Sequence, residues 1–414
     1  MDITNWNVID KVFIDNIELL PSVTEIFELQ LAYLEYTNLS LEDFYNRCAY
    51  FKSRNNKLTK HYSLFSKVTD ALVAERSNET KQYFEQGSFA TGYATHGLFP
   101  YRGKFHPQLI KSLLNIIGIK EDDVVLDSMC GSGTLNIEAS LNGIISYAVD
   151  ISPFCKFMTK VKYDALTMDV DSLKNVLNNK DNIFDMLHSK DGLSKIQNII
   201  DPAKKKVGEL CLLAYLDALG YSKRVKMNDH RTLFDKVINR YIGVVTDFIT
   251  VIKPNIKKLG RVEILTNSTA QSLELKDNSI DGIITSPPYS FAIDYAENDA
   301  PHIEYLGYDV KQIRKNMIGL KGISLQEKLD YYFADMRLVV SEASRVLKPN
   351  KSLIIIIGSN TNQTKGVRLE DNIIQSCRDK GLELYLTINK PIKGMRSTMK
   401  DELVLFFHKI GGIK

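Results

Sequence analysis

The chain has 414 residues, 44% of them hydrophobic and 25% charged. That is ordinary globular composition, and the length exceeds one typical domain, so a core domain with additions is expected. A formal net charge of +3 is too small to identify a partner, and no stretch approaches the roughly 18–20 apolar residues of a membrane span.

The distribution of charge says more than its sum. Residues 1–46 carry nine Asp/Glu against one Lys, whereas 202–260 carry twelve Lys/Arg against five Asp/Glu. The basic stretch is a candidate surface for a polyanion, with a solvated helical face as the competing reading. The five cysteines, Cys48, Cys130, Cys155, Cys211 and Cys377, are scattered without a CxxC pair. This suits a reduced, cytoplasmic protein without structural zinc. No His/Cys/Asp group has metal-ligand spacing, so no metal is expected. The first residues, MDITNWNVID, lack an apolar signal core.

In chain order, residues 1–90 read as mostly helical, with apolar residues at helical spacing through IDNIELLPSVTEIFELQLAYLEY. A Gly/Pro-rich loop follows, then an amphipathic helix starting near Pro107. Val124–Leu126 reads as a buried strand, 127–133 as a glycine turn and 134–141 as a helix. ISYAVDIS is a second strand closing on the acid Asp150. This opens a doubly wound α/β sheet. The alternation pauses over 156–258, which is polar and helical in pattern. An unstructured loop of that length is improbable, so the insert should have its own fold. Order resumes with a strand at RVEIL and another at DGIITSPPY. A helix near 325–347, the strand KPNKSLIIIIGSN, a helix near 368–380 and strands near 382–388 and 402–408 complete the series.

Two constellations carry chemistry. In Asp127-Ser-Met-Cys130-Gly131-Ser-Gly133-Thr134, glycines one residue apart let backbone approach a ligand and open a helix N-terminus towards it. The lysine of a P-loop is missing, so a nucleoside triphosphate is not expected. Asp150 is placed to accept from ribose hydroxyls. Together these fit a ligand with an adenosine and a short polar tail. The second constellation is Ser286-Pro287-Pro288-Tyr289 at the exit of a buried strand. Prolines cannot donate, so their carbonyls are expected to face outward as fixed acceptors. Ser286 adds a hydroxyl and Tyr289 a flat face, which suits an exocyclic amine on a planar base.

The pair DSMCGSGT and TSPPY resembles the S-adenosylmethionine-dependent amino-methyltransferases of DNA, and SPPY is typical of their cytosine-N4 branch. HGLFPYRGKFHPQL at 96–109, IDY at 293–295, YLG at 305–307 and RVLKPNKSLIIIIGSN at 345–360 extend the similarity. It covers roughly 91–155 and 260–410. The resemblance implies a Rossmann-like methyltransferase sheet over 91–155 and 259–414, carrying a helical N-terminal region and a helical insert. It implies that Phe105, Asp127, Cys130, Gly131, Gly133, Thr134, Asp150 and Ser286 bind the cofactor, with Lys104 nearby. A flipped base would stack on Tyr289, its amine held by Ser286 and the Pro287 carbonyl. No covalent intermediate is needed, so Cys130 packs rather than attacks. Ser128 stands where a proline is common. The acid often found after the third strand is absent from TNSTAQSL, which leaves the adenine contacts open.

Asp294 and Tyr295 could line the pocket mouth or cap the turn. His96 and His302 read as local hydrogen-bonding residues. Lys204, Lys205, Lys206, Lys223, Arg224 and Lys226 could hold phosphates of double-stranded DNA, and the insert could read its sequence. The expectation is a cytosine-N4 enzyme of a restriction–modification or phage-defence system, accompanied by a cognate endonuclease. Adenine-N6 methylation, guanine-N2 methylation of transfer RNA and an inactive binding scaffold are the alternatives.

Overall fold

The computed structural model describes residues 9–65, 92–101, 103–224, 229–289, 293–358, 364–392 and 401–411. Its centre is a seven-stranded sheet. The strands are β4 (Val124–Asp127), β5 (Ile145–Ala148), β6 (Val262–Ile264), β7 (Ile280–Thr285), β8 (Leu347–Ile357), β9 (Leu382–Pro391) and β10 (Asp401–Lys409). They lie in the order β6-β5-β4-β7-β8-β10-β9. Strands β6, β5, β4, β7 and β8 run parallel. β10 is antiparallel to β8 and β9, between which it lies. This is a doubly wound, Rossmann-like α/β fold.

All six residues of β7 are buried, as expected of a strand covered on both faces. Helices Thr134–Leu141 and Leu325–Val346 occupy the predicted stretches. The longer one starts at a capping box, with Ser324 accepting from the Glu327 backbone and Glu327 bonding back. The strand order reverses at β4, whose neighbours are β5 and β7. A crevice at the C-terminal ends of strands is expected at such a switch point.

Within the described residues the N-terminal region holds more helix than strand, with a small sheet that the helical expectation did not include. Helices Ile26–Asn38, Leu41–Arg47 and Lys60–Phe65 accompany a small antiparallel sheet of β1 (Ile17–Leu19), β2 (Phe51–Arg54) and β3 (Lys57–Leu58). Asn55 and Asn56 join β2 to β3 with φ of 50° and 63°, a conformation that asparagine tolerates and that suits two-residue hairpins. This region shares a core with the sheet: Phe27, Leu31 and Phe44 cluster with Leu113, Val125 and Ile354. Glu35 is fully buried there and accepts from the Ala49 backbone at 3.0 Å and Asn115 Nδ2 at 2.6 Å. Burial pushes its carboxyl up to about 7.

The insert is helical. Its principal helices are Pro153–Asp164, Val170–Asn178, Lys180–His188, Pro202–Arg224 and His230–Asp247. Its core is continuous with Leu98, Phe99, Ile303, Ile313 and Met317. It is therefore packed against the segment that follows SPPY.

Candidate active site

A cavity of about 280 Å³ opens at the C-terminal ends of the parallel strands. One wall is the glycine turn. Gly131 and Gly133 have φ of 48° and 74°, the left-handed region that glycine enters without strain. A Cβ at Gly133 would also lie 2.7 Å from Thr159 Cγ2 and Oγ1. The turn is therefore pressed onto helix Pro153–Asp164. The buried Lys162 donates to the Ser132 carbonyl at 3.2 Å from the same helix. Asp150 accepts from the Gly131 backbone at 2.9 Å and from Ser152 at 2.8 Å. It lines the cavity with the rest of its acceptor capacity.

The turn and the SPPY strand are bonded to each other. Thr285 Oγ1 donates to Asp127 Oδ1 at 3.0 Å, and Ser128 Oγ donates to Thr285 Oγ1 at 3.2 Å. Asp127 also accepts from the Met129 backbone at 3.1 Å. It is fully buried and is not part of the cavity wall. This carboxylate holds the turn from behind through those hydrogen bonds. Its Oδ2 has no partner among the described residues, and burial pushes the carboxyl up to about 7. Gly133 likewise acts through backbone shape, whereas Phe105, Cys130, Gly131, Thr134 and Ser286 line the cavity. The Cys130 thiol lies 3.6 Å from Thr159 Oγ1. Burial raises the thiol well above its ordinary value, which disfavours the thiolate that a nucleophile needs.

SPPY forms another wall. Ser286, Pro287, Pro288 and Tyr289 all line the cavity. One expectation is overturned: the Pro288 carbonyl accepts from the Tyr332 hydroxyl at 3.0 Å, so it is not an outward-facing free acceptor. Tyr332 is fully buried on helix Leu325–Val346. The Tyr289 hydroxyl donates to Glu402 Oε1 at 2.8 Å and lies 3.4 Å from Ser286 Oγ. Burial and the Glu402 carboxylate raise the Tyr289 phenol well above its ordinary value.

Tyr295 lines the cavity, its ring against Gly103. Asp294 does not. It caps helix Tyr295–Asn298 through the Glu297 backbone and pairs with Arg314 at 2.6 Å, the capping position of its two expected places rather than the pocket mouth where it would meet substrate. Of the lysine triplet, Lys206 pairs with Asp164 at 3.2 Å and Lys205 donates to the Gln197 carbonyl at 3.0 Å. Lys204 and Lys223 are exposed. Lys205 and Lys223 sit eighteen residues apart on one helix, roughly 27 Å along its axis. They do not form one compact patch. Lys226 and the Arg224 side chain lie outside the described residues. His96 contacts buried Glu138 at 2.8 Å, and His302 contacts the Leu216 carbonyl at 3.1 Å.

Among the cavity residues that the sequence reading did not assign to the site are Tyr101, Gln271, Met317 and Glu402. Gln271 follows β6, where the resemblance would place an acid, and its amide offers both a donor and an acceptor. Tyr101 belonged to the quoted segment before Pro107 and stands 3.5 Å from where a Gly131 side chain would begin. Among the described residues no group of His, Cys, Asp and Glu could hold a metal ion. Nor is any helix there long and apolar enough to cross a membrane. The backbone approach at Gly131, the Asp150 carboxylate and the apolar surface of Phe105, Ile151 and Ile318 fit S-adenosylmethionine.

Comparison with known proteins agrees at the level of a methyltransferase. The RMKL-like methyltransferase domain family matches residues 98–301. The Type II methyltransferase M.BsoBI of Geobacillus stearothermophilus is 22% identical over 275 residues, covering 53% of this chain and 54% of that protein. M.MjaII of Methanocaldococcus jannaschii, also a Type II methyltransferase, is 36% identical over 100 residues, 24% of this chain and 17% of its own. The tRNA (guanine(10)-N2)-dimethyltransferase of Methanothermobacter thermautotrophicus is 40% identical over 53 residues, 13% of this chain and 16% of its own. The chain thus spans about half the length of the first of these relatives and under a fifth of the other two. By fold and by similarity, the chain carries a methyltransferase-type domain.

Proposed function

We propose that this chain transfers a methyl group from S-adenosylmethionine to the exocyclic N4 of cytosine in double-stranded DNA, within a restriction–modification or phage-defence system. The observation that carries this reading is that the glycine turn and SPPY wall a single cavity and are bonded through Asp127, Thr285 and Ser128. When bound, the cofactor supplies a sulfonium methyl. Asp150 accepts its ribose hydroxyls, Gln271 meets the adenine edge, and the turn at Gly131 admits it closely. Tyr289 stacks a flipped base. Ser286 and the Pro287 carbonyl accept from the base amine, aiming the nitrogen lone pair at the methyl carbon. Positioning and oriented dipoles supply most of the rate enhancement.

The Ser286 hydroxyl favours cytosine over adenine in this reading, since a serine opens the SPPY type. Residues 91–155 and 259–414 form the methyltransferase domain, preceded by an N-terminal region to residue 90. The insert, 156–258, contributes to DNA reading, because it packs against the segment that follows SPPY. A second reading is guanine-N2 methylation of RNA, favoured by the short tRNA-enzyme match. Retention of radiolabelled S-adenosylmethionine by the purified protein, lost on Asp150→Ala, tests the cofactor site. Label passing to duplex DNA and not to transfer RNA supports the first reading; label passing to RNA alone supports the second.

A further inference from the structure

Methylating an exocyclic amine leaves one proton too many on the nitrogen. The nitrogen–carbon bond forms as the sulfur–carbon bond breaks, and an N–H bond must then release its proton. Ser286 and the Pro287 carbonyl lie at that nitrogen in the proposed pose, but neither keeps a proton. What lies behind Ser286 is therefore informative.

Ser286 Oγ lies 3.4 Å from the Tyr289 hydroxyl, which donates to Glu402 Oε1 at 2.8 Å. The direction is forced. An ionised carboxylate only accepts, so the single phenol proton points at Glu402 and the phenol oxygen accepts from Ser286. Lys390 on β9 pairs with the other oxygen, Glu402 Oε2. The side chains of Glu402 and Lys390 are 15% and 21% exposed, enough to exchange protons with water. Both hydroxyls and the carboxylate belong to the cavity wall. Three donors and acceptors thus run in one sense, from the place of the amine to a carboxylate at the edge of solvent.

We propose that Glu402 is the terminal acceptor of a proton path from the target amine through Ser286 and Tyr289. The inference rests on the methyltransferase reading above. The amine N–H breaks as a proton moves to Ser286 Oγ. The Ser286 proton passes to the Tyr289 oxygen, and the Tyr289 proton passes to Glu402. Neutral Glu402 then releases it to water, and the two hydroxyls rotate back. No oxidant or further reactant is required.

The test is single-turnover methyl transfer at saturating cofactor and DNA across a pH range. Glu402→Gln keeps an acceptor for the Tyr289 hydroxyl but cannot take a proton. Its rate is expected to fall by on the order of 10²-fold at neutral pH, with loss of the acid limb and of the solvent deuterium effect. Lys390→Met removes the positive neighbour and is expected to shift that limb to higher pH. The other groups facing Glu402 are Tyr289 and Tyr295, while His106 faces Lys390. All three remain in both variants. Tyr289→Phe keeps the ring and cuts the path, so it should match the rate loss even if Glu402→Gln folds poorly; retained cofactor reports folding. An unchanged rate and profile in Glu402→Gln overturns the proposal. So does an equal loss at every pH, which indicates ring positioning alone. Wild-type protein that methylates no nucleic acid would instead defeat the underlying reading.

Discussion

Asp127→Asn isolates the tie between the two motifs. Asp127 is fully buried, accepts from Thr285 and the Met129 backbone, and carries an unpartnered Oδ2. Its carboxyl is raised from 3.8 to about 7 by desolvation. Because folding raises its proton affinity, its stabilising share is complete below the unfolded value. That share is lost as pH climbs through about 7. Integrating between pH 5 and pH 8 gives a loss on the order of 2–3 kcal/mol from this group. Asparagine keeps the acceptor and has no charge to bury, so the variant does not suffer this loss. Urea titrations followed by circular dichroism should show the variant gaining on wild type by about 2–3 kcal/mol from pH 5 to pH 8. A gap between the two proteins that stays constant with pH would refute the assignment of a buried, desolvated carboxylate at the turn. Glu35, raised from 4.5 to about 7, loses stability in the same direction in both proteins and cancels from the comparison.

Gly133→Ala forces φ of 74° on a residue with a Cβ, 2.7 Å from Thr159. Strain of ~1–2 kcal/mol plus the clash should lower cofactor affinity at least tenfold in equilibrium dialysis. Gln271→Ala should raise the cofactor dissociation constant by roughly tenfold, about one hydrogen bond, while leaving the thermal midpoint unchanged. Replacing exposed Lys204 and Lys223 together by alanine should reduce the slope of log affinity for DNA against log salt by about 0.9 for each phosphate no longer neutralised. An unchanged slope would mean that phosphates are neutralised elsewhere on the surface.

The parts of the fold that were legible in the sequence are those fixed by local rules. The strand–turn–helix at 124–141 could be read because glycines at positive φ follow a short apolar strand and precede a helical pattern. β7 could be read from the isoleucines of DGIITS and its double-proline exit. The long-range partnerships could not. Thr285 lies 158 residues from Asp127, and Glu402 lies 113 residues from Tyr289. Periodicity fixes neither the sheet order nor the antiparallel placement of β10 that brings Glu402 to SPPY. The occupied Pro288 carbonyl was hidden for the same reason, since Tyr332 approaches from another helix. The small N-terminal sheet did leave a signal, the Asn55–Asn56 pair suited to a tight hairpin, but the helical spacing upstream of it masked it. Net charge also misled. Of the basic residues in the insert, Lys206, Arg231 and Arg240 pair with Asp164, Asp181 and Asp217, so a count of lysines and arginines overstated the surface left for phosphate.

The central claim is that a base amine meets a methyl donor between the glycine turn and SPPY. The most direct test is incubation with S-adenosylmethionine carrying a deuterated methyl group, with duplex DNA as acceptor, followed by digestion to nucleosides and mass spectrometry. The account predicts deuterated N4-methylcytosine, abolished by Asp150→Ala and strongly reduced by Ser286→Ala. Label confined to adenine, or found only when transfer RNA is the acceptor, would contradict it.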